Sequence, residues 1–520
     1  MHEFLQKIML ETHKVAIEKV ISRLTGRVCS ILLALFFATG ILLAQDYTLN
    51  GNVVNNGTIR VNRDVINNTT ALVSVSGTGV VQLRGNVGAI TAHALRSSTG
   101  SYPISFTNLD MIQNRPTTCQ VDITVSNNLR IGNGATAYTA AGVGFSIGAR
   151  TLTVGNLSSY MATSTSALTF SGGTVVFNSV ASQLILNNAA GVTYGTLILS
   201  GVGAKSATTG GTITAATLTQ TGGQLSVTEN VDVTGTGNLT DVGAISAAKK
   251  IRLTAAATSG SVTSMNNSST GIFENASNST ATIATLAGNT GTINQSGATG
   301  TISFTNAAVN AGTITNTSTG TITFANNLTG TGIVNQTTNG TMNVGGTFVQ
   351  NIYTLTGGTV VYNGTAAQSV IGGITYNNLT IATTGGNAAA SAAITLTGNL
   401  VINSGSTLDM AGFTTSAFPG ALNNNAGTIR WSGNNVYVKG AGTTEFYSAA
   451  VGSVAAGVNY GNLLFSGTGV KTIANAVTAT GNMIINPGAS VTVGGIIVQV
   501  NGSVNNSGAL TNNGTINIGS

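Results

Sequence analysis

An all-β solenoid with about 20 residues per coil is the fold this sequence predicts, and three observations predict it. Gly300-Thr301-Ile302-Ser303-Phe304 returns as Gly320-Thr321-Ile322-Thr323-Phe324 and again as Gly340-Thr341-Met342-Asn343-Val344, a period of 20 residues. A second series, Ile293-Asn294-Gln295, Ile314-Thr315-Asn316 and Val334-Asn335-Gln336, runs out of phase with the first at spacings of 21 and 20. The chain is also 42% hydrophobic but only 6% charged, with 69 Gly and 4 Pro. So short a unit, alternating apolar and polar residues between Gly-rich turns, cannot bury its own apolar face and finds a partner only by stacking.

Each period must hold at least two short strands. Side chains alternate faces along a strand, so Ile302 and Phe304 are expected inward and Thr301 and Ser303 outward, with Ile302, Ile322 and Met342 forming one internal ladder. Ordering a residue costs roughly 1–2 kcal/mol and burying an aliphatic side chain returns about 1.5–3 kcal/mol, so a rung also needs its ladder hydrogen bonds and its neighbours. The Asn-Gly pairs Asn56-Gly57, Asn339-Gly340, Asn363-Gly364 and Asn513-Gly514 predict tight turns with positive φ at the glycine. The composition excludes an ordinary disordered chain, which is charge-rich, and sets the protein apart from soluble enzymes, where about a quarter of residues are charged.

Taken in order, residues 1–44 read as a helical signal peptide with a long basic n-region. Lys7, Lys14, Lys19, Arg23 and Arg27 precede an apolar run from Val28 to Ala44, and polar Gln45-Asp46 follow. Initiation at Met9 would shorten the n-region, and Leu42 stands where a small residue is usual before a cut. An uncleaved anchor is the competing reading, since about 20 apolar residues span a bilayer. Either sends the chain out of the cytoplasm. With the signal removed, Cys29 goes and Cys119 remains alone, expected as a buried apolar residue with no intrachain disulfide. No membrane span is expected after that point.

From residue 45 to 520 the repeat is continuous: Asn50-Gly51-Asn52-Val53-Val54-Asn55-Asn56-Gly57-Thr58-Ile59 already carries the Gly-Thr-Ile strand. Residues 84–130 are the least repetitive, holding Pro103 and Pro116, and a less regular insertion or lateral loop is expected there. The end, Asn505 to Ser520, repeats the opening pattern without a cap, so the repeat domain is expected to be incomplete at the C-terminus and able to associate end to end. At about 20 residues and about 4.8 Å per coil, the part after Ala44 would make a rod on the order of 110 Å.

A larger module recurs. Gly172-Gly173-Thr174-Val175-Val176-Phe177-Asn178 with Gln183 and Thr193-Tyr194-Gly195-Thr196-Leu197 matches Gly357-Gly358-Thr359-Val360-Val361-Tyr362-Asn363 with Gln368 and Thr375-Tyr376-Asn377-Asn378-Leu379. Asn459-Tyr460-Gly461-Asn462-Leu463 is a third copy of its second half. With segments such as Gly398 to Leu408, these modules resemble the strand repeats of large secreted bacterial surface proteins, the filamentous-haemagglutinin-like adhesins and the giant repeat proteins exported by type IX systems. The resemblance implies a right-handed parallel β-helix attached to the cell surface of a Gram-negative envelope.

No catalytic, cofactor-binding or metal-ligating residue is assigned, and no cofactor is expected. The rival to a structural protein is a polysaccharide-binding or polysaccharide-cleaving β-helix, a lyase or hydrolase, which needs carboxylates and bases gathered on one outer face. Asp110 and Asp122, near His93, Arg96 and Arg115, are the nearest approach to such a group, but their spacing of 12 does not match the coil and the plainer reading is solvated turn positions. Lys249, Lys250 and Arg252 read as a solvated face before a binding patch, and the formal charge of +6 is not a nucleic-acid signal. Gly201-Val202-Gly203-Ala204-Lys205-Ser206 resembles a phosphate loop without the glycine before its lysine. His93 is the single histidine after the signal, too few for a metal site. Asn238-Leu239-Thr240 and its like are triplets that chance supplies in so Asn- and Thr-rich a chain. The outward Thr and Asn rows either solvate the coils or contact glycans or a host or neighbouring cell. The reading is a secreted, non-enzymatic, adhesin-like stalk.

Overall fold

The structure is a computed structural model that describes residues 46–83, 93–111, 117–131, 145–160, 168–185, 193–207, 211–413, 427–431, 441–447, 452–454 and 459–519. The signal-peptide expectation falls on residues 1–44, outside that set. The described chain is all β, with parallel coils stacked into a solenoid of about 19 turns roughly 20 residues apart. It divides into two compact units, residues 1–203 and 204–520.

In the first unit one ladder runs from Tyr47–Leu49 through Val65–Asn67, His93–Ser97, Thr117–Cys119 and Phe145–Ser146 to Leu168–Phe177. A second runs from Val73–Ser76 through Ile104–Met111, Ile123–Ile131 and Thr151–Tyr160 to the same Leu168–Phe177 strand. The described part of 84–130 therefore contributes rungs to both ladders, and 84–92 and 112–116 lie outside the described residues.

The repeat around Gly300 to Val344 is the most regular part of the second unit, and it holds three strands per coil where the sequence required at least two. Thr280–Asn289, Thr301–Phe304, Thr321–Phe324 and Thr341–Val344 stack in order. So do Ile272–Asn275, Thr292–Gln295, Thr313–Asn316 and Ile333–Gln336. The added strand is Ala308–Val309, which pairs with Leu328–Thr329. Ile302, Ile322 and Met342 meet in register and are wholly buried, with Thr301, Ser303, Thr321 and Thr323 half-buried on the outer side. Phe304 and Phe324 stack with centroids 5.0 Å apart, and Phe324 meets Phe348 at 5.9 Å. Identical residues thus land on identical neighbours, which a 20-residue period produces automatically.

The glycines of the Asn-Gly pairs depart from expectation. Gly340, Gly364 and Gly514 do not have positive φ; they lie against the neighbouring coil. A Cβ on Gly340 would meet the Gly320 carbonyl oxygen at 2.6 Å, and one on Gly320 the Gly300 oxygen at 2.5 Å. Those oxygens accept from Thr341 N (3.0 Å) and Thr321 N (2.8 Å), so the glycine column lets successive coils close to hydrogen-bonding distance. The turns that do need positive φ lie elsewhere, for example at Gly405 and Gly488.

Candidate functional site

Sheet register decides what each charged residue can do, because a side chain on one outer column faces the same column of the coils before and after it. Asp110 lies in register between Gln82 and Arg130. It accepts from Gln82 Nε2 at 3.3 Å and from Arg130 Nε at 3.0 Å, and Arg130 Nη2 closes the second contact. Asp122 accepts from the Thr151 backbone N–H at 2.8 Å, and Arg96 donates to Asp64 at 2.8 Å. The described members of the Asp110, Asp122 and Arg96 group thus engage three different partners; Arg115 lies outside the described residues.

Lys249, Lys250 and Arg252 are not simply solvated. Lys249 Nζ is 2.6 Å from Glu229, Lys250 Nζ is 3.0 Å from Glu274, and Arg252 donates from Nε to Asp232 at 3.0 Å. Asp232, Arg252 and Glu274 are consecutive in register, so sign alternates coil by coil. The hydrogen bond from Arg252 to Asp232 raises the guanidinium pKa further. Burial pushes the Glu274 carboxyl up, but hydrogen bonds from Ser296 and Lys250 and the charges of Lys250 and Arg252 outweigh it and hold it below its ordinary value. Asp409, Arg430 and Glu445 repeat the alternation. Arg430 is 2.7 Å from Glu445 and 3.5 Å from Asp409, its guanidinium lies 4.2 Å over the Tyr447 ring, and the Tyr447 hydroxyl donates to Asp409 at 2.7 Å.

Amides do inside the coil what charges do outside. Asn267 donates to Asn289 (3.3 Å), Asn289 to Asn310 (2.8 Å) and Asn310 to Gln350 (2.9 Å), all buried. A second column, Asn275, Gln295, Asn316 and Gln336, follows the register of its strands. Its last member, Gln336, is wholly buried with neither Nε2 nor Oε1 bonded; continuing the register by one residue sets apolar Leu355 beyond it. The recurring module also has a purpose in this scheme. Gln183 reaches the Val154 carbonyl at 2.9 Å and Gln368 the Val344 carbonyl at 2.9 Å, each tying a corner to the preceding coil.

The loop that resembles a phosphate cradle is part of the same construction. Ser200-Gly201-Val202-Gly203-Ala204-Lys205-Ser206 recurs as Ser466-Gly467-Thr468-Gly469-Val470-Lys471-Thr472, 11 residues after the buried Tyr194 and Tyr460 being the lysine in each case. Lys205 and Lys471 are buried, burial lowers the pKa of both amines, and Lys471 Nζ donates to the Gly467 carbonyl at 3.0 Å. A strand, Lys205–Ala207, stands where a phosphate loop would start a helix. Cys119 is buried as expected, and burial and then the Asp122 charge push its thiol well up, which leaves it unreactive.

No protein-family model, curated protein or solved structure matches this chain. Among the described residues no three His, Cys, Asp or Glu side chains are grouped to hold a metal ion, and no helix is long and apolar enough to cross a membrane.

Proposed function

We propose that this protein is a secreted structural repeat protein of the bacterial surface, a stalk or adhesin-like segment that spaces or attaches. One observation carries the reading: eight of the ten acidic residues after Ala44 are ion-paired to basic residues, most of them on an adjoining coil. Charged groups and buried amides are used for cohesion between coils, as a load-transmitting surface protein requires. The apolar run before Ala44 supports export, and the outward Thr and Asn rows supply the surface that would meet glycans or a neighbouring cell.

Protease shaving of intact producing cells tests this. The reading expects the chain to be released, with attachment to surfaces falling in parallel; a chain protected inside the cell would refute it. The glycan-cleaving alternative is tested on the purified protein with Asp110→Asn, Asp122→Asn and Asp409→Asn. No release of reducing or unsaturated ends from polysaccharides is expected, and cleavage lost in any of the three would favour the alternative.

A further inference from the structure

In the first unit a groove of about 660 Å3 runs across the corners of three stacked coils, those that follow His93–Ser97, Thr117–Cys119 and Phe145–Ser146. Ser97, Ser101, Gln120 and Arg150 line it, with Cys119 at its base. At about 4.8 Å per coil the three corners span about 10 Å, and the volume falls within the 300–1,000 Å3 typical of small-molecule sites.

Arg150 and Arg60 are the two described arginines of this unit without an ion pair, and of the two only Arg150 lines the groove. Arg63, Arg96 and Arg130 of the same unit each face a carboxylate, whereas Arg150 has no ion pair among the described residues. The carboxylate on the coil below, Asp122, is engaged with the Thr151 N–H at 2.8 Å. Arg150 thus lines the groove without a carboxylate partner among the described residues, and a guanidinium is the planar donor fork that receives a carboxylate through two parallel hydrogen bonds. Ser97, Ser101 and Gln120 add hydroxyl and amide groups suited to a polyol. One unpaired cation in a groove far larger than an inorganic ion fits a singly charged, hydroxyl-rich ligand better than a polyphosphate or nucleic acid, which call for several cations.

We infer that this groove binds a uronic-acid-bearing saccharide, its carboxylate on Arg150 and its hydroxyls along Ser97, Ser101 and Gln120. This gives the proposed surface protein a ligand class and rests on that reading, yet it can fail alone, since cell-surface shaving does not depend on it.

The test is calorimetric titration of the full chain with hexamers of galacturonate, glucuronate and mannuronate, with methyl-esterified hexagalacturonate, with maltohexaose and with inorganic phosphate. At least one uronate should bind ten or more times tighter than the ester and the neutral glucan. Arg150→Gln should abolish that preference, Arg150→Lys should keep part of it, and Arg252→Gln, in the other unit, should leave it unchanged. Circular dichroism confirms that each variant keeps its strands. Absence of binding to all three uronates, equal binding to the ester, indifference to Arg150→Gln, or displacement by equimolar phosphate would each overturn the inference.

Discussion

Replacing Gly320 by alanine separates two reasons for a glycine in a repeat: an unusual backbone conformation and the approach of another chain. Gly320 does not have positive φ, yet a Cβ there would meet the Gly300 oxygen at 2.5 Å, the Gly297 oxygen at 2.6 Å and Gln295 Nε2 at 2.8 Å. Two of the three are backbone atoms, and the Gly300 oxygen is held by Thr321 N at 2.8 Å. Overpacking of this kind costs about 1–3 kcal/mol and the strained hydrogen bond about 1 kcal/mol more, while the stiffer unfolded chain returns about 0.4–1 kcal/mol, leaving a net loss of about 1–3.5 kcal/mol. Gly488 is the control, with φ of +83° and nothing within 4 Å of a built Cβ. Its alanine variant bears only the left-handed backbone penalty of about 1–2 kcal/mol, less the same unfolded-state gain. Urea unfolding of the full chain, with hydrogen exchange at Thr321 and Thr341 read by mass spectrometry, compares the two. A costlier Gly488→Ala, or unchanged exchange at Thr321 in Gly320→Ala, would refute close stacking as the reason for the glycine column.

Gln336→Met keeps the volume of a buried side chain whose amide has no bonding partner. It should therefore stabilise the second unit by about 1–3 kcal/mol in urea unfolding, and a loss of stability would show that the amide is satisfied after all. Burial pushes the Tyr362 hydroxyl up to about 12, and it sits 3.1 Å from that of Tyr376. Because the folded state favours the neutral phenol, this contribution is complete below the unfolded value of about 10 and is lost as pH rises from about 10 to about 12, roughly 3 kcal/mol in all. Tyr362→Phe should lessen that alkaline loss when urea midpoints at pH 8 and pH 11.5 are compared; an equal drop in both proteins would place the sensitivity elsewhere.

The coil was legible because its period shows twice, in Gly-Thr-Ile and in the Ile293, Ile314 and Val334 series, and because alternation within a strand assigns Ile302 inward and Thr301 outward. The charge pairs were equally legible but need the period applied to charges: Glu229 and Lys249, Asp232 and Arg252, and Asp110 and Arg130 are each 20 residues apart. Considered by neighbours in sequence alone, Lys249, Lys250 and Arg252 form only a basic cluster. The interior amides were hidden for another reason. Asn316 is buried and Asn294 half-buried, yet both stand in the same Asn-rich composition, and only register separates them. The groove at Arg150 was beyond reach, since only the register shows which described arginines meet a carboxylate and which, like Arg150 and Arg60, do not.

The alternation of sign along Asp232, Arg252 and Glu274 bears on how such a chain finds its fold. Near-identical coils create an ambiguity of alignment: a coil can dock on the next but one, and a ladder of Ile302, Ile322 and Met342 scarcely notices the omission. Charges do notice. Skipping one coil would set Asp232 against Glu274, or Asp409 against Glu445, two carboxylates face to face with the intervening arginine ejected. Like charges about 4 Å apart repel by about 1–4 kcal/mol between bulk water and a protein surface, enough to make the skipped arrangement reverse before it propagates. These few charges act as proofreading marks along an otherwise monotonous text.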